Sequence, residues 1–256
     1  MNRVSGLIYG FISYAIFFAT FLYAIGFLGN IFVPKGIDSF PNVPVTQALL
    51  INLGLLGIFA IQHSVMARPV FKRWFTRFIP RAMERSTYTL FSSLALIVLF
   101  SFWEPMGGLV WNIESPLGVA LMYGGFAFGW LLVLVCTFLI NHFDLFGLRQ
   151  VWLNFRNKPY TPLDFKLPYA YQIVRHPMYV GWFFAFWCTP TMTLAHLAFA
   201  IATSAYILIA IQLEERDLLE AHPEYRKYRE QVPMIVPFLR KRVKKDVFIK
   251  AAESEA

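Results

Sequence analysis

The sequence predicts an all-α integral membrane protein, and three observations carry that expectation. Hydrophobic residues make up 57% of the chain and charged residues 15%, against about 25% charged in ordinary soluble domains. Mean hydropathy is +0.53. The apolar residues are gathered into long runs nearly free of charge, of the length a helix needs to cross the roughly 30 Å hydrocarbon core of a bilayer. A single membrane domain over residues 1–256 is expected, built of about four transmembrane helices followed by a C-terminal helical hairpin.

The formal net charge of +8 does not point to nucleic acid. The basic residues fall between and after the apolar runs, where they orient loops toward the cytoplasm and meet anionic headgroups, so membrane lipids are the expected contact. Cys136 and Cys188 each lie inside an apolar segment. Neither a disulfide framework nor a metal-ligand spacing is present, and no metal is expected.

The first span, Leu7 to Val33, is broken at its end by Gly29-Asn30 and Pro34. It is too long for the core of a cleaved signal peptide and is expected to be retained. After a turn rich in proline and glycine, Val45 to Met66 forms the second span, with His63 near its end as an ionisable group close to membrane depth. Arg68, Lys72, Arg73, Arg77, Arg81 and Arg85 then stand against one acid, Glu84, with Trp74, Phe75 and Phe78 interleaved. This is the pattern of an amphipathic segment lying on the cytoplasmic surface, and it puts the N-terminus inside. The third span, Tyr88 to Trp103, leads to a loop whose only charges are Glu104 and Glu114, which belongs outside; the fourth, Leu117 to Ile140, brings the chain back. Met178 to Leu213 carries no formal charge and is interrupted by Thr189-Pro190-Thr191. Cytoplasmic flanks on both sides require an even number of crossings, so this stretch reads as a hairpin turning at Pro190, with arms Met178 to Cys188 and Leu194 to Leu213, the first arm short. The C-terminus is then cytoplasmic too.

The polar groups gather at the cytoplasmic end of this plan. Asn141 to Tyr171 is a long polar connection that contains Asn141-His142-Phe143-Asp144-Leu145-Phe146-Gly147-Leu148-Arg149-Gln150. Connections of that length without a span of their own are usually functional. Arg175-His176-Pro177-Met178-Tyr179-Val180-Gly181 opens the hairpin, Glu214-Glu215-Arg216-Asp217 closes it, and Pro223-Glu224-Tyr225-Arg226-Lys227-Tyr228 follows. Carboxylates, a guanidinium and flat aromatic donors at both ends of one apolar passage suit a polar ligand held at the membrane surface. No glycine-rich nucleotide-binding turn is present. Residues 1–140 are therefore read as scaffold spans, 141–238 as the catalytic and cofactor-binding region, and 239–256 as a basic tail.

The Arg-His-Pro-x-Tyr-x-Gly motif at Arg175 to Gly181, the apolar hairpin, Glu214-Glu215-Arg216 and the Pro223 to Tyr228 run together resemble the isoprenylcysteine carboxyl methyltransferase superfamily of membrane methyltransferases. Within it, Asn141 to Gln150, Trp187-x-Thr189-Pro190-Thr191-Met192-Thr193 and Ile211 to Leu218 extend the resemblance to the bacterial methanethiol S-methyltransferase family. The first half matches only in its pattern of spans. The resemblance implies S-adenosylmethionine as cofactor, methanethiol as a small-molecule substrate converted to dimethyl sulfide, and the inner (cytoplasmic) membrane of a bacterium as location.

The chemistry of the residues is compatible with those implications. Glu214 and Glu215 can accept from ribose hydroxyls or an amino group, and Arg175 can pair with a carboxylate. His176, Tyr179, Tyr225 and Tyr228 offer flat surfaces and donors for an adenine and a sulfonium. Pro177 fixes the chain where the hairpin begins, and Gly181 lets backbone come close. A thiol protonated at neutral pH needs a base or a positive field. His142 or Asp144 is the candidate base and Arg149 the candidate to stabilise a thiolate; Asp144 alternatively orients His142 or pairs with Arg149. Trp152, Trp182 and Trp187 are candidates for lining a small apolar pocket. Three other readings stay open: the same fold acting on an isoprenylcysteine carboxylate or another lipidic acceptor, an NADPH-dependent membrane reductase, and a transport or assembly protein with no nucleotide-sized ligand.

Overall fold

The computed structural model describes residues 2–163, 168–221 and 225–237. The basic tail 239–256 and the Pro223-Glu224 pair of the motif lie outside the described residues. In chain order the helices are α1 (Arg3–Gly29), α2 (Val45–Ala67), α3 (Pro69–Phe75) and α4 (Glu84–Phe102), the last entered through a 3-10 turn at Arg81–Met83. Then come strand β1 (Leu109–Asn112), α5 (Pro116–Ile140), α6 (His142–Leu145), α7 (Leu148–Phe155) and α8 (Tyr169–Ile173). The chain closes with α9 (Pro177–Trp187), β2 (Thr191–Thr193), α10 (Leu194–Ala221) and α11 (Tyr225–Gln231).

Among the described residues, 5 helices are long and apolar enough to cross a membrane: α1, α2, α4 with its entry turn, α5 and α10. They match the spans read from hydropathy to within a few residues at each end. α10 runs further than its apolar part, carrying the helix through Glu214, Glu215 and Asp217 to Ala221.

The first arm of the hairpin is short, as expected, and Pro177–Trp187 matches the arm read as Met178 to Cys188 to within a residue at each end. α9 has 11 residues, about 16 Å at the helical rise, roughly half the hydrocarbon core. The chain then bends at Pro190 and runs as β2 before α10 begins at Leu194. β2 pairs antiparallel with β1, Leu109 opposite Thr193 and Asn112 opposite Thr191, with a bulge between Leu109 and Trp111. Ile113 N donates to Pro190 O at 2.9 Å, and Leu194 N to Gly108 O at 3.1 Å. The loop after α4 thus satisfies the backbone that helix no longer covers, the condition for non-helical chain inside a membrane protein. Helix followed by a short strand, this arm leads from the Glu214 end of the bundle to the two-stranded sheet formed with β1.

α5 and α9 share the most extensive helix–helix contact among the described residues. A Cβ on Gly129 would lie 2.6 Å from Ala185 N and 2.6 Å from Gly181 O, and one on Gly181 would lie 2.8 Å from Gly129 O. Paired glycines bring the two backbones into contact, as small residues do between membrane helices. α1 packs on α4 and α7, and α2 on α4 and α10. Phe27, Leu99, Phe100, Trp103, Phe126, Trp130, Phe186 and Phe199 fill the centre.

Candidate active site

At one end of the bundle, α6 continues from α5, α7 packs on α1 and on the turn before α4, and α8 leads into α9. The break after α5 falls on Asn141, at φ 151° and ψ 94°, a region that costs a non-glycine residue about 1–3 kcal/mol. Its side chain caps the next turn by accepting from Asp144 N at 3.1 Å. Gly147, at φ 90°, then turns the chain into α7 so tightly that a Cβ would meet Ser86 N at 2.5 Å.

Beneath these turns lies a cleft of about 690 Å³, lined by Leu139 and Ile140 from α5 and Asn141 after it, by Arg149 and Thr161, by Tyr171, Arg175, His176 and Tyr179, and by Glu214, Tyr225 and Tyr228. That volume falls in the range of small-molecule and cofactor sites. Leu139 and Ile140 add apolar lining beside these aromatic and charged groups.

Glu214 and Glu215 are neighbours with different surroundings. Glu215 is 3% exposed. It accepts from Arg175 Nε at 2.7 Å and His176 Nε2 at 3.0 Å, and pairs with Arg229 Nε at 3.1 Å. Arg175 also donates through Nη1 to the carbonyls of Arg229 and Val232, and Arg175 N and His176 N donate to Pro233 O and Met234 O at 2.8 and 3.1 Å. This buried cluster ties the start of α9 to α10 and to the segment after α11. Glu214 is nearly half exposed and accepts from Tyr179 Oη at 2.9 Å. Burial pushes the hydroxyl pKa values of Tyr171, Tyr225 and Tyr228 upward, so these side chains stay protonated, and Tyr228 donates to Tyr171 O at 2.6 Å.

On the other side of the cleft, Asp144 accepts from Arg149 Nη1 at 2.8 Å and from Tyr160 Oη at 3.3 Å. Arg149 also donates to Thr161 O and Oγ1, at 2.9 Å each. His142 stands back from this wall. It is 4% exposed, lies 4.3 Å from Phe138 in a stacked arrangement, and bonds Thr137 Oγ1 through Nδ1 at 2.8 Å and Tyr14 Oη through Nε2 at 2.7 Å. Burial lowers its pKa.

Of the residues singled out in the sequence, Arg149, Arg175, His176, Tyr179, Glu214, Tyr225 and Tyr228 meet on the cleft wall. His142, Asp144, Pro177, Gly181 and Glu215 stand behind it. Pro177 opens α9, and Gly181 packs on Gly129. Trp182 stacks on Phe186, and Trp187 donates to Ser204 Oγ at 2.9 Å. Trp152, half exposed on α7, contacts Phe155. None of these tryptophans lines the cleft. Sequence reasoning passed over Thr161, Tyr171, Leu139 and Ile140. Tyr171 carried a signal, standing four residues before Arg175; Leu139 and Ile140 read as ordinary span.

Fold and cleft together define a multi-pass α-helical membrane protein with a polar, aromatic-lined cleft at one end of its bundle. Over 94% of its length the chain is 59% identical to a methanethiol S-methyltransferase of Crocosphaera subtropica, covering 95% of that protein. It is 50% identical to one of Mycobacterium tuberculosis, with 93% of this chain and 98% of the relative covered. The chain belongs to the methanethiol S-methyltransferase family, and its chemistry requires a methyl donor. A more distant likeness, 30% over 65% of the chain and 66% of the relative, links it to nurim of Sus scrofa. No protein-family profile matches the chain, and no solved structure does.

Proposed function

We propose that the protein transfers the methyl group of S-adenosylmethionine to the sulfur of methanethiol, giving dimethyl sulfide, in the cleft between α5, α9 and α10. Near-full-length identity to proteins named methanethiol S-methyltransferase carries this reading and supports it over an isoprenylcysteine acceptor or NADPH. The donor set of the cleft fits the cofactor. Glu214, an open carboxylate, suits its ammonium or ribose hydroxyls, and Tyr171, Tyr225 and Tyr228 supply aromatic faces and hydroxyl donors.

S-adenosylmethionine supplies an electrophilic methyl on a sulfonium. The protein's task is to align the acceptor sulfur with it and keep water out. Leu139 and Ile140 offer apolar lining that suits a one-carbon thiol, and Arg149 brings positive charge that favours thiolate. Asp144, Tyr160 and Thr161 hold Arg149 in place. Arg175 and Glu215, committed to one another, serve to position His176 and Tyr179. The basic segment from Arg68 to Arg85 lies at the cleft end of the bundle, which supports a cytoplasmic cleft and a cytoplasmic N-terminus in a bacterial inner membrane.

Headspace gas chromatography of purified protein supplied with S-adenosylmethionine and methanethiol tests this reading. Dimethyl sulfide formed by the wild type is the expected result. Cofactor binding without dimethyl sulfide overturns the acceptor, and absence of cofactor binding overturns the reading as a whole.

A further inference from the structure

Asn141 breaks the chain between α5 and α6 and lines the cleft. Its backbone sits at φ 151° and ψ 94°, where glycine is at ease and a residue with a side chain is strained. Strain of this kind persists where the side chain is needed. Most of what Asn141 offers is consumed locally. Its N donates to Thr137 O at 3.1 Å, and its O accepts from Leu145 N at 2.9 Å. The Asp144 N–H that meets the side chain at 3.1 Å can only donate, so the carboxamide oxygen is the atom turned to α6 and Nδ2 is left over. Among the described residues no acceptor reaches Nδ2, and the half-buried side chain brings two unused N–H groups to the cleft wall.

The neighbours give these donors a setting. Leu139 and Ile140, immediately before Asn141, add apolar lining. Arg149 lines the same cleft and donates through Nη1 to Asp144 Oδ1 at 2.8 Å, so Asp144 anchors both the amide and the guanidinium. A neutral donor, a cation and two aliphatic side chains suit a small anion with an apolar end, and a deprotonated alkanethiol is such an anion. His142, bonded through its two ring nitrogens to Tyr14 and Thr137, stands outside this arrangement.

We propose that Asn141 Nδ2 donates a hydrogen bond to the acceptor sulfur and, with Arg149, stabilises it as the thiolate that takes the methyl group. The inference rests on the thiol-methylation reading above. The S–H bond breaks before the transfer, its electron pair staying on sulfur and its proton passing to water at the cleft mouth. The thiolate sulfur then bonds the methyl carbon as the carbon–sulfonium bond returns its pair to the donor sulfur. A negative and a positive charge are thereby consumed together. Of the other charged or titratable groups facing the cleft, Arg175 is spent on Glu215, while His176, Glu214 and the hydroxyls of Tyr171, Tyr179, Tyr225 and Tyr228 belong to α8, α9, α10 and α11. A hydrogen bond from a neutral amide lowers the pH at which the bound thiol ionises without adding a group that itself titrates.

Asn141→Gly removes the side chain where the backbone suits glycine, and Asn141→Asp keeps an oxygen to cap α6 while removing the amide. Wild type and variants are assayed for dimethyl sulfide from methanethiol between about pH 6 and about pH 10, with more acidic small thiols in parallel, and for S-adenosylmethionine affinity by calorimetry. Loss of one hydrogen bond to a charged sulfur should raise the pH of ionisation by about 1–2; because a less acidic thiol gives a better nucleophile, the neutral-pH rate of Asn141→Gly falls roughly 3- to 20-fold. Asn141→Asp, which adds a like charge, should fall further. The deficit should close as pH rises or as the thiol becomes more acidic, while cofactor affinity holds in Asn141→Gly. In the wild type loaded with S-adenosylhomocysteine, ultraviolet absorbance of thiolate should appear for bound methanethiol at a lower pH than for the free thiol. Asn141→Gly as fast as wild type, a deficit independent of pH and thiol acidity, a loss of cofactor affinity as large as the loss of rate, or a bound thiol that ionises no earlier than the free one overturns the inference. If the variants fail to fold, the wild-type absorbance decides. Failure of the wild type to make dimethyl sulfide is the separate result that overturns the underlying reading.

Discussion

Glu214 and Glu215 follow one another on α10 and so point about 100° apart around its axis, which sends one carboxylate to the cleft and the other into the contact between α9 and the segment after α11. Their substitutions should separate. Glu214→Ala removes an open, charge-assisted acceptor, whose hydrogen bonds are worth about 1.5–3 kcal/mol. S-adenosylmethionine affinity by calorimetry should weaken roughly 10- to 150-fold while the melting temperature holds. Glu215→Ala leaves the buried Arg175 guanidinium without its carboxylate, a loss of about 3–5 kcal/mol, and thermal unfolding in detergent should shift sharply downward. His142 gives a third prediction. Burial holds its pKa below the unfolded value of about 6.5, so between the two values the unfolded chain binds more protons than the native one and stability rises with pH. The stabilising contribution of the neutral ring is fully present above about pH 6.5 and is lost as pH falls through and below that value. Melting temperature should therefore be level from neutral to alkaline pH and fall on acidification, with a shallower fall in His142→Gln.

α9 owes its position to two contacts, the Gly129–Gly181 approach along its length and the Arg175–His176–Glu215 cluster at its start. Gly181→Val puts a branched side chain where even a Cβ lies 2.8 Å from Gly129 O and 2.9 Å from Val133 Cγ2. Overpacking of about 1–3 kcal/mol or more is expected. Because His176 and Tyr179 ride on the same helix, cofactor affinity should fall with stability, a linked loss that Glu214→Ala does not produce. The interfacial helix α3 is held more lightly. Arg68 meets Asp217 at 3.0 Å with both side chains about a third or more exposed, a pairing worth less than about 1 kcal/mol. A double-mutant cycle on Arg68 and Asp217 should return a coupling of that small size.

Across the whole molecule, the alternation of crossings puts Trp74 and the exposed Tyr169 at the cleft end and Leu109 on the sheet at the other. In a background lacking Cys136 and Cys188, single cysteines at Trp74 and Tyr169 should react with an impermeant reagent only once the cytoplasmic face is opened, and one at Leu109 in intact cells. The reverse pattern would invert the proposed orientation. The spans were legible from sequence because the bilayer acts on each residue through its own transfer free energy, a property that needs no knowledge of neighbours. Motif residues were legible too, since carboxylates, guanidiniums and histidines stand out against apolar sequence. Their division of labour was not. Arg175 finds Glu215 across 40 residues and Tyr14 finds His142 across 128, and the phase of α10 decides which carboxylate of a neighbouring pair is buried. The strand that follows α9 escaped as well, because its backbone partners sit on β1, a separate loop. What sequence by itself determined is the membrane fold, the end of the bundle where polar groups gather and the family. Tertiary structure alone decided which polar groups are consumed in holding the site and which remain open, because that depends on partners brought together only when the helices pack.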